Sequence, residues 1–105
     1  METSYKERAP TRAEIDGLSG AALLEFGTNW CGHCRAAQPL LAEALAGHAQ
    51  LPHFKVEDGP GRLLGRSFKV KLWPTLIFLR DGKEVARVVR PLDVQELHDA
   101  LALLA

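Results

Sequence analysis

Trp30-Cys31-Gly32-His33-Cys34 holds both cysteines of a 105-residue chain, three positions apart. Where a helix begins at such a pair, positions i and i+3 share one face at about 5–6 Å, inside the Cα separation that a disulfide tolerates. The flanking residues predict that helix. Leu23-Leu24-Glu25-Phe26 is a short, mostly apolar run ending at Gly27, and Arg35 to Ala46 is rich in Ala, Leu, Gln and Glu, all good helix formers. The order is strand, turn, helix. Cys31 then sits at a helix N-terminus, where unpaired N–H groups and the helix dipole favour an anion such as a thiolate. Cys31 is the candidate nucleophile, and Cys34, one turn deeper and facing protein, is the candidate resolving thiol.

The remaining elements place that turn in an α/β protein. Thr11 and Glu14, after Pro10, form a Thr-x-x-Glu capping signature, so residues 11–16 are expected to make a short helix before Gly17. Residues 1–9 are polar and are read as a weak edge strand or a mobile arm. Ala21 to Phe26 reads as a buried strand, followed by a helix over about residues 32–46 that Pro39 should kink. His53 to Glu57 is a candidate strand, and the punctuation Asp58-Gly59-Pro60-Gly61 leads into a helical turn or two through Phe68. Thr75 to Leu79 and Glu84 to Val89 are strands joined by the hairpin signal Asp81-Gly82. Leu92, Gln95, Glu96 and Leu97 open a last helix on which Leu97, Leu101 and Leu104 share a stripe. Helices bracketing a mixed sheet, with the reactive loop at the carboxyl end of a strand, give one domain over residues 1–105: an arm and short helix over 1–20, and a core over 21–105.

Composition narrows the function classes. Thirteen basic and thirteen acidic side chains give a formal net charge of zero, so no broad basic field recruits nucleic acid or an anionic membrane. The charged start Met1-Glu2-Thr3-Ser4-Tyr5-Lys6-Glu7-Arg8 has no signal-peptide pattern, and no apolar run approaches the roughly 18 residues that span a bilayer. A cytoplasmic location is expected. In a reducing compartment a lone cysteine pair is more often catalytic or metal-binding than a structural staple.

The spaced residues resemble the thioredoxin family from about Ala21 to the C-terminus. Glu25 lies six residues before Cys31, where the family places a buried acid; Trp30 immediately precedes the first cysteine; Pro39 falls at the family's helix kink. Lys55 matches a lysine that neighbours the buried acid, and Trp73-Pro74-Thr75 resembles the family's cis-proline loop. Leu24-Glu25-Phe26 and Cys31-Gly32-His33-Cys34 look like the active-site strand and motif of the protein disulfide isomerases, which carry Glu and His where reducing thioredoxins usually carry Asp and Pro. The resemblance implies a thioredoxin fold, a central mixed sheet flanked by helices, and thiol–disulfide exchange on protein disulfides. Imidazolium at His33 would stabilise a nearby thiolate and make the disulfide a stronger oxidant.

The resemblance also assigns roles. Cys31 attacks, Cys34 resolves, and Glu25, its pKa raised by burial, accepts the Cys34 proton with Lys55 as electrostatic partner. Trp73, before a cis Pro74, offers its backbone to an extended substrate, and Gly32 and Trp30 complete the substrate contact. Protein disulfides or dithiols are the partners, a reductase or small thiol supplies electrons, no cofactor is built in, and a monomer is expected. Gly27 stands where the family usually has an aromatic, Leu72 where a Gly is common, Trp73 is bulky, and Arg90-Pro91 falls where another Gly is common. Two rival readings are a non-catalytic binding module and a metal carrier that uses Cys31 and Cys34, with His33 as a third candidate ligand; a zinc site is a separate reading. Cys31, Cys34, His48 and His53 fit a zinc spacing literally, but a helix over residues 34–46 carries His48 about 20 Å from Cys34, too far for one ion. His48 and His53 then read as loop and strand-edge residues, and His98 as an exposed helical one.

Overall fold

Alternation along Ala21–Gly27, the first strand (β1), divides the molecule into two apolar layers. Ala22, Leu24 and Phe26 point one way, into a cluster with Ile15, Val56, Leu64, Phe68, Ile77 and Leu79. Leu23 points the other way, into a cluster with Ala37, Leu41, Leu76, Phe78, Leu97 and Leu101. Glu25 shares the Leu23 face by the period of two. Leu23 and Leu24 are both fully buried, as a strand covered on two sides requires.

The structure is a computed structural model that describes residues 4–105; Met1, Glu2 and Thr3 of the expected arm lie outside the described residues. Its elements are a short helix α1 (Arg12–Asp16), β1, the long helix α2 (Gly32–Leu45), β2 (His53–Glu57), α3 (Leu63–Ser67), β3 (Thr75–Arg80), β4 (Lys83–Val89) and α4 (Val94–Ala102). The sheet runs β2-β1-β3-β4, with β1 and β2 parallel and the other pairs antiparallel. Helices α2 and α4 cover the Leu23 face, and α1 and α3 contribute Ile15 and Leu64 to the other. This is the thioredoxin fold, with a mixed four-stranded sheet between helices.

Local chemistry sets the element ends. Thr11 caps α1 reciprocally with Glu14, and Asp93 caps α4 reciprocally with Glu96, so each helix start satisfies two otherwise unpaired N–H groups. Asp81 and Gly82 have φ of 51° and 77°, the left-handed pair that a two-residue hairpin needs. Gly82 is also forced by contact, since a Cβ there would stand 2.2 Å from the Asp16 carbonyl oxygen. Pro39 lies inside α2 as expected.

Of the two alternatives expected for the N-terminal segment, the described residues take the edge-strand one. Lys6 bridges Val56 in parallel fashion: its N–H donates to the Lys55 carbonyl at 2.9 Å and its carbonyl accepts from the Glu57 N–H at 2.8 Å. Tyr5 is buried at 5 % exposure. The segment prolongs the sheet beyond β2 because that edge strand has open N–H and C=O groups, and one large aromatic ring repays its ordering through burial.

Candidate active site

The β1–α2 turn delivers the dithiol. Cys31 is the N-cap of α2, with extended backbone (φ −78°, ψ 121°), and its Sγ accepts the Cys34 N–H at 3.2 Å. No acidic residue lies in the first turn of α2, so the sulfur itself is the group that receives the helix's unpaired donor. Cys31 is 8 % exposed and Cys34 1 %, and both are free thiols. Burial first, then the hydrogen bond with Cys31 and the Cys31 charge, push the Cys34 thiol up to about 12, against downward pulls from the Thr28 backbone and the Tyr5 hydroxyl. Cys31 is the better placed to meet a substrate. Cys34 is held as a neutral thiol behind it.

Behind Cys34 lies a buried polar network whose members come from β1, α2, β2 and the N-terminal segment. Glu25 is fully buried on β1. Its Oε1 lies 2.7 Å from Nε2 of His53, and its Oε2 accepts from Gln38 Nε2 at 3.1 Å and from the Tyr5 hydroxyl. Lys55 Nζ stands 3.5 Å from the same Oε2, donates to Gln38 Oε1, and lies 4.5 Å from the centre of the Tyr5 ring. Gln38 also donates to the Cys34 carbonyl at 2.8 Å. The parallel register explains the gathering: Leu23 pairs with His53 and Glu25 with Lys55, so alternate residues of β2 project onto the same face as Glu25.

The expected upward shift of Glu25 is corrected by these partners. Burial is the largest single influence and does push its pKa up, but the His53 hydrogen bond, the Lys55 charge and the Tyr5 hydroxyl together leave it below the ordinary 4.5. Glu25 is therefore a carboxylate at neutral pH, ready to receive a proton but weakly basic. Burial first, then the neighbouring Glu25 charge and hydrogen bond, drive the Tyr5 phenol far upward, so it stays protonated.

The opposite side of the dithiol is an aromatic wall. Trp73-Pro74 is a cis peptide, and the Trp73 and Trp30 rings meet edge to face at 5.8 Å. Trp30 is 71 % exposed, whereas Trp73 is held by its Nε1–H, which donates to Asp58 Oδ2 at 2.8 Å. Arg90 adopts φ 49°, the conformation expected of the Gly common at that position, and its Nε donates to the Trp73 carbonyl at 2.8 Å. Gly32 and His33 lie exposed on the first turn of α2, and Leu72 is exposed beside Trp73. His48 and His98 are exposed, in a loop and on α4. Among the described residues no group of three or more His, Cys, Asp or Glu side chains is placed to hold a metal ion, and no helix is long and apolar enough to cross a membrane.

Comparison with known proteins gives the family. The sequence model of the family described as Thioredoxin matches residues 6–102. The chain belongs to the thioredoxin family. It is 43 % identical to a thioredoxin of Chlamydia pneumoniae over 74 residues, 68 % of this chain and 70 % of that one. The structure of thioredoxin 2 from Pseudomonas aeruginosa PAO1 in its reduced form is similar with a TM-score of 0.88 at 61 % identity, covering 99 % of this chain and 97 % of that one. The reduced desulfothioredoxin of Desulfovibrio vulgaris Hildenborough matches at TM-score 0.76 and 25 % identity over 96 % and 98 % of the two chains. A thioredoxin with a neighbouring cysteine pair is a thiol–disulfide oxidoreductase, and that is the activity of this one.

Of the expected residues of this thioredoxin's site, Cys31, Cys34 and Trp73 pack in one cluster, Trp30 meets Trp73, whose bond to Pro74 is cis, Glu25 and Lys55 lie in the network, and Gly32 and His33 are exposed between the cysteines. Three contributors were not legible as such. His53 read as an ordinary strand-edge residue, although its alternation with Lys55 was the available signal. Gln38 looked like a helix former, and its spacing of four from Cys34 was the clue to a shared helix face. Tyr5 carried no local signal.

Proposed function

We propose that this thioredoxin reduces protein disulfides through a Cys31-linked mixed disulfide that Cys34 resolves. Cys31 attacks one sulfur of the substrate disulfide, and the other substrate sulfur leaves as a thiolate. Cys34 gives up its proton to the Glu25 side of the site, attacks Cys31 Sγ, and releases the second substrate sulfur as the Cys31–Cys34 disulfide closes. The substrate is reduced by two electrons and the protein oxidised by two. Reversal oxidises a substrate dithiol. The observation that carries the assignment is the cap geometry: Cys31 Sγ receives the Cys34 N–H at the start of α2, while Cys34 is buried beneath it.

Glu25 serves as proton acceptor, with Lys55 holding it ionised; their 3.5 Å separation supports the pairing. Trp30, Gly32 and the Trp73-Pro74 backbone form the substrate contact, supported by the exposed Trp30 ring beside the cysteines. His33 tunes the couple toward oxidation, as in the disulfide isomerases. Electrons come from a reductase or small thiol, and the chain acts as a monomer in the cytoplasm. The decisive experiment pairs Cys34→Ser with Cys31→Ser against a disulfide-bonded protein. Cys34→Ser should accumulate a covalent adduct with substrate and Cys31→Ser should not; the reverse pattern exchanges the two roles, and adducts with neither variant refute the reading.

A further inference from the structure

Among the described residues no hydrogen bond joins Glu25 to Cys34. The Tyr5 side chain lies at both: its hydroxyl donates to Glu25 Oε2, and its ring packs in one buried cluster with Cys34. Packing geometry brings them together, since a Cβ built on Gly27 would meet Cys34 Sγ at 2.6 Å and Tyr5 Cζ at 2.7 Å, so the sulfur lies within about 5.3 Å of the carbon that bears the hydroxyl. Tyr5 also packs in one buried cluster with Cys31, Cys34 and Trp73. Two backbone-to-side-chain hydrogen bonds fix the ring's approach: the Tyr5 N–H donates to Asn29 Oδ1 at 2.8 Å, and Asn29 Nδ2 donates to the Tyr5 carbonyl at 3.3 Å.

We infer that Tyr5 is a further catalytic residue, whose hydroxyl carries the proton from Cys34 to Glu25 when the mixed disulfide is resolved. The inference rests on the reading of Glu25 as proton acceptor and names the path that reading lacks. In the step, the Cys34 S–H proton passes to the Tyr5 oxygen as the Tyr5 O–H proton passes to Glu25 Oε2. The Cys34 sulfur attacks Cys31 Sγ, the bond from Cys31 to the substrate breaks, and its electron pair leaves on the substrate sulfur. Tyr5 ends the step as it began, a neutral phenol. A phenol suits this task because one hydroxyl both donates and accepts. The transfer has to be concerted, because a free phenolate beside Glu25 is strongly disfavoured.

Every charged or titratable group facing the relay fits this assignment. Lys55 of β2 approaches both the Tyr5 ring and Glu25, His53 of β2 bonds the far carboxylate oxygen, and Cys31 and Cys34, at the start of α2, pack in one cluster with Tyr5. Gln38 of α2, which does not titrate, lies 3.5 Å from the hydroxyl and fixes Glu25 Oε2. With a relay, resolution does not wait for spontaneous Cys34 thiolate, which is a tiny fraction of the buried thiol at neutral pH.

The test mixes reduced protein with excess 5,5′-dithiobis(2-nitrobenzoate) in a stopped-flow instrument. One coloured thiolate leaves on attack by Cys31 and a second on resolution by Cys34, so the two steps appear as two phases. Tyr5→Phe keeps the ring beside Gly27 and removes only the hydroxyl. It should leave the first phase unchanged and slow the second by roughly 10- to 100-fold at pH 7, the scale of general acid–base catalysis. Its second phase should then rise with pH in proportion to hydroxide, where the parent's stays nearly flat. In mixtures of H2O and D2O the parent's second phase should follow a curved dependence for two protons in flight, a readout that needs no variant. An unchanged second phase in Tyr5→Phe while Glu25→Gln is slowed overturns the relay alone. If neither variant is slowed, the Glu25 reading falls with it, and a linear isotope dependence in the parent also overturns the relay.

Discussion

Gly27 and Tyr5 share one space: the missing Cβ of Gly27 would stand 2.7 Å from Tyr5 Cζ, closer than side-chain atoms approach. The family usually places an aromatic side chain at the Gly27 position, and here the ring beside the dithiol arrives from the N-terminal segment instead. Gly27→Ala should therefore destabilise the protein by about 1–3 kcal/mol, as overpacking of a filled core does. Part of that loss should be recovered when Tyr5→Ala is added, because the two changes compete for the same volume. Urea unfolding of the four proteins measures the coupling; strictly additive losses would deny the shared space.

Glu25→Gln retains the shape of the side chain and removes its charge. Resolution of the mixed disulfide should slow by at least tenfold, while the first attack by Cys31 should change little, because only the second step needs an acceptor for the Cys34 proton. Rapid-mixing kinetics separate the steps. Equal slowing of both would make Glu25 a structural residue.

Stability should track the ionisation of Glu25. Its folded-state pKa lies below the ordinary 4.5, so the unfolded chain binds the proton more tightly, and folding is favoured by this group above that value. The contribution is lost as pH falls through the folded pKa. Glu25→Gln should flatten that part of the acid limb. His53→Leu removes the foremost downward influence and should move the limb to higher pH. Urea midpoints collected between about pH 3 and 7 provide the measurement; an acid limb that neither variant moves would contradict the assignment.

His33 lies exposed on the first turn of α2, one residue from Cys34. His33→Pro should lower the dithiol potential by on the order of 30 mV, equivalent to about 1.4 kcal/mol for a two-electron couple and the scale of one charge interaction near a surface. Equilibration against a glutathione series reads it directly. An unchanged potential would remove the oxidising character assigned to the motif.

How much of the site was legible follows from how far each signal reaches along the chain. Thr11 and Glu14, or Asp81 and Gly82, act within a few residues, so the α1 cap and the β3–β4 hairpin could be read directly. The cysteine pair belongs to the same class, since one helical turn brings Cys31 and Cys34 together whatever else the chain does. Gly27 and Arg90 looked like departures from the family because their meaning is non-local. Gly27 makes room for a ring 22 positions earlier, and Arg90 takes a left-handed backbone that sets its guanidinium on the Trp73 carbonyl.

By itself the sequence determined the strand, turn and helix around Cys31, and hence a dithiol at a helix start, because hydrophobic runs and helix-forming composition are properties of neighbouring residues; a buried carboxylate behind it was implied only by the family resemblance. Only the tertiary structure decided which partners hold Glu25 ionised and that the Tyr5 hydroxyl is one of them. Those facts depend on the parallel register of β1 and β2, which sets His53 and Lys55 beside it, and on the bridge from Lys6 to Val56, which brings Tyr5 into the core. Pairing between distant strands is fixed by backbone hydrogen bonds and packing across the whole sheet, and no local pattern in a polar N-terminal segment encodes where its one aromatic ring will be buried.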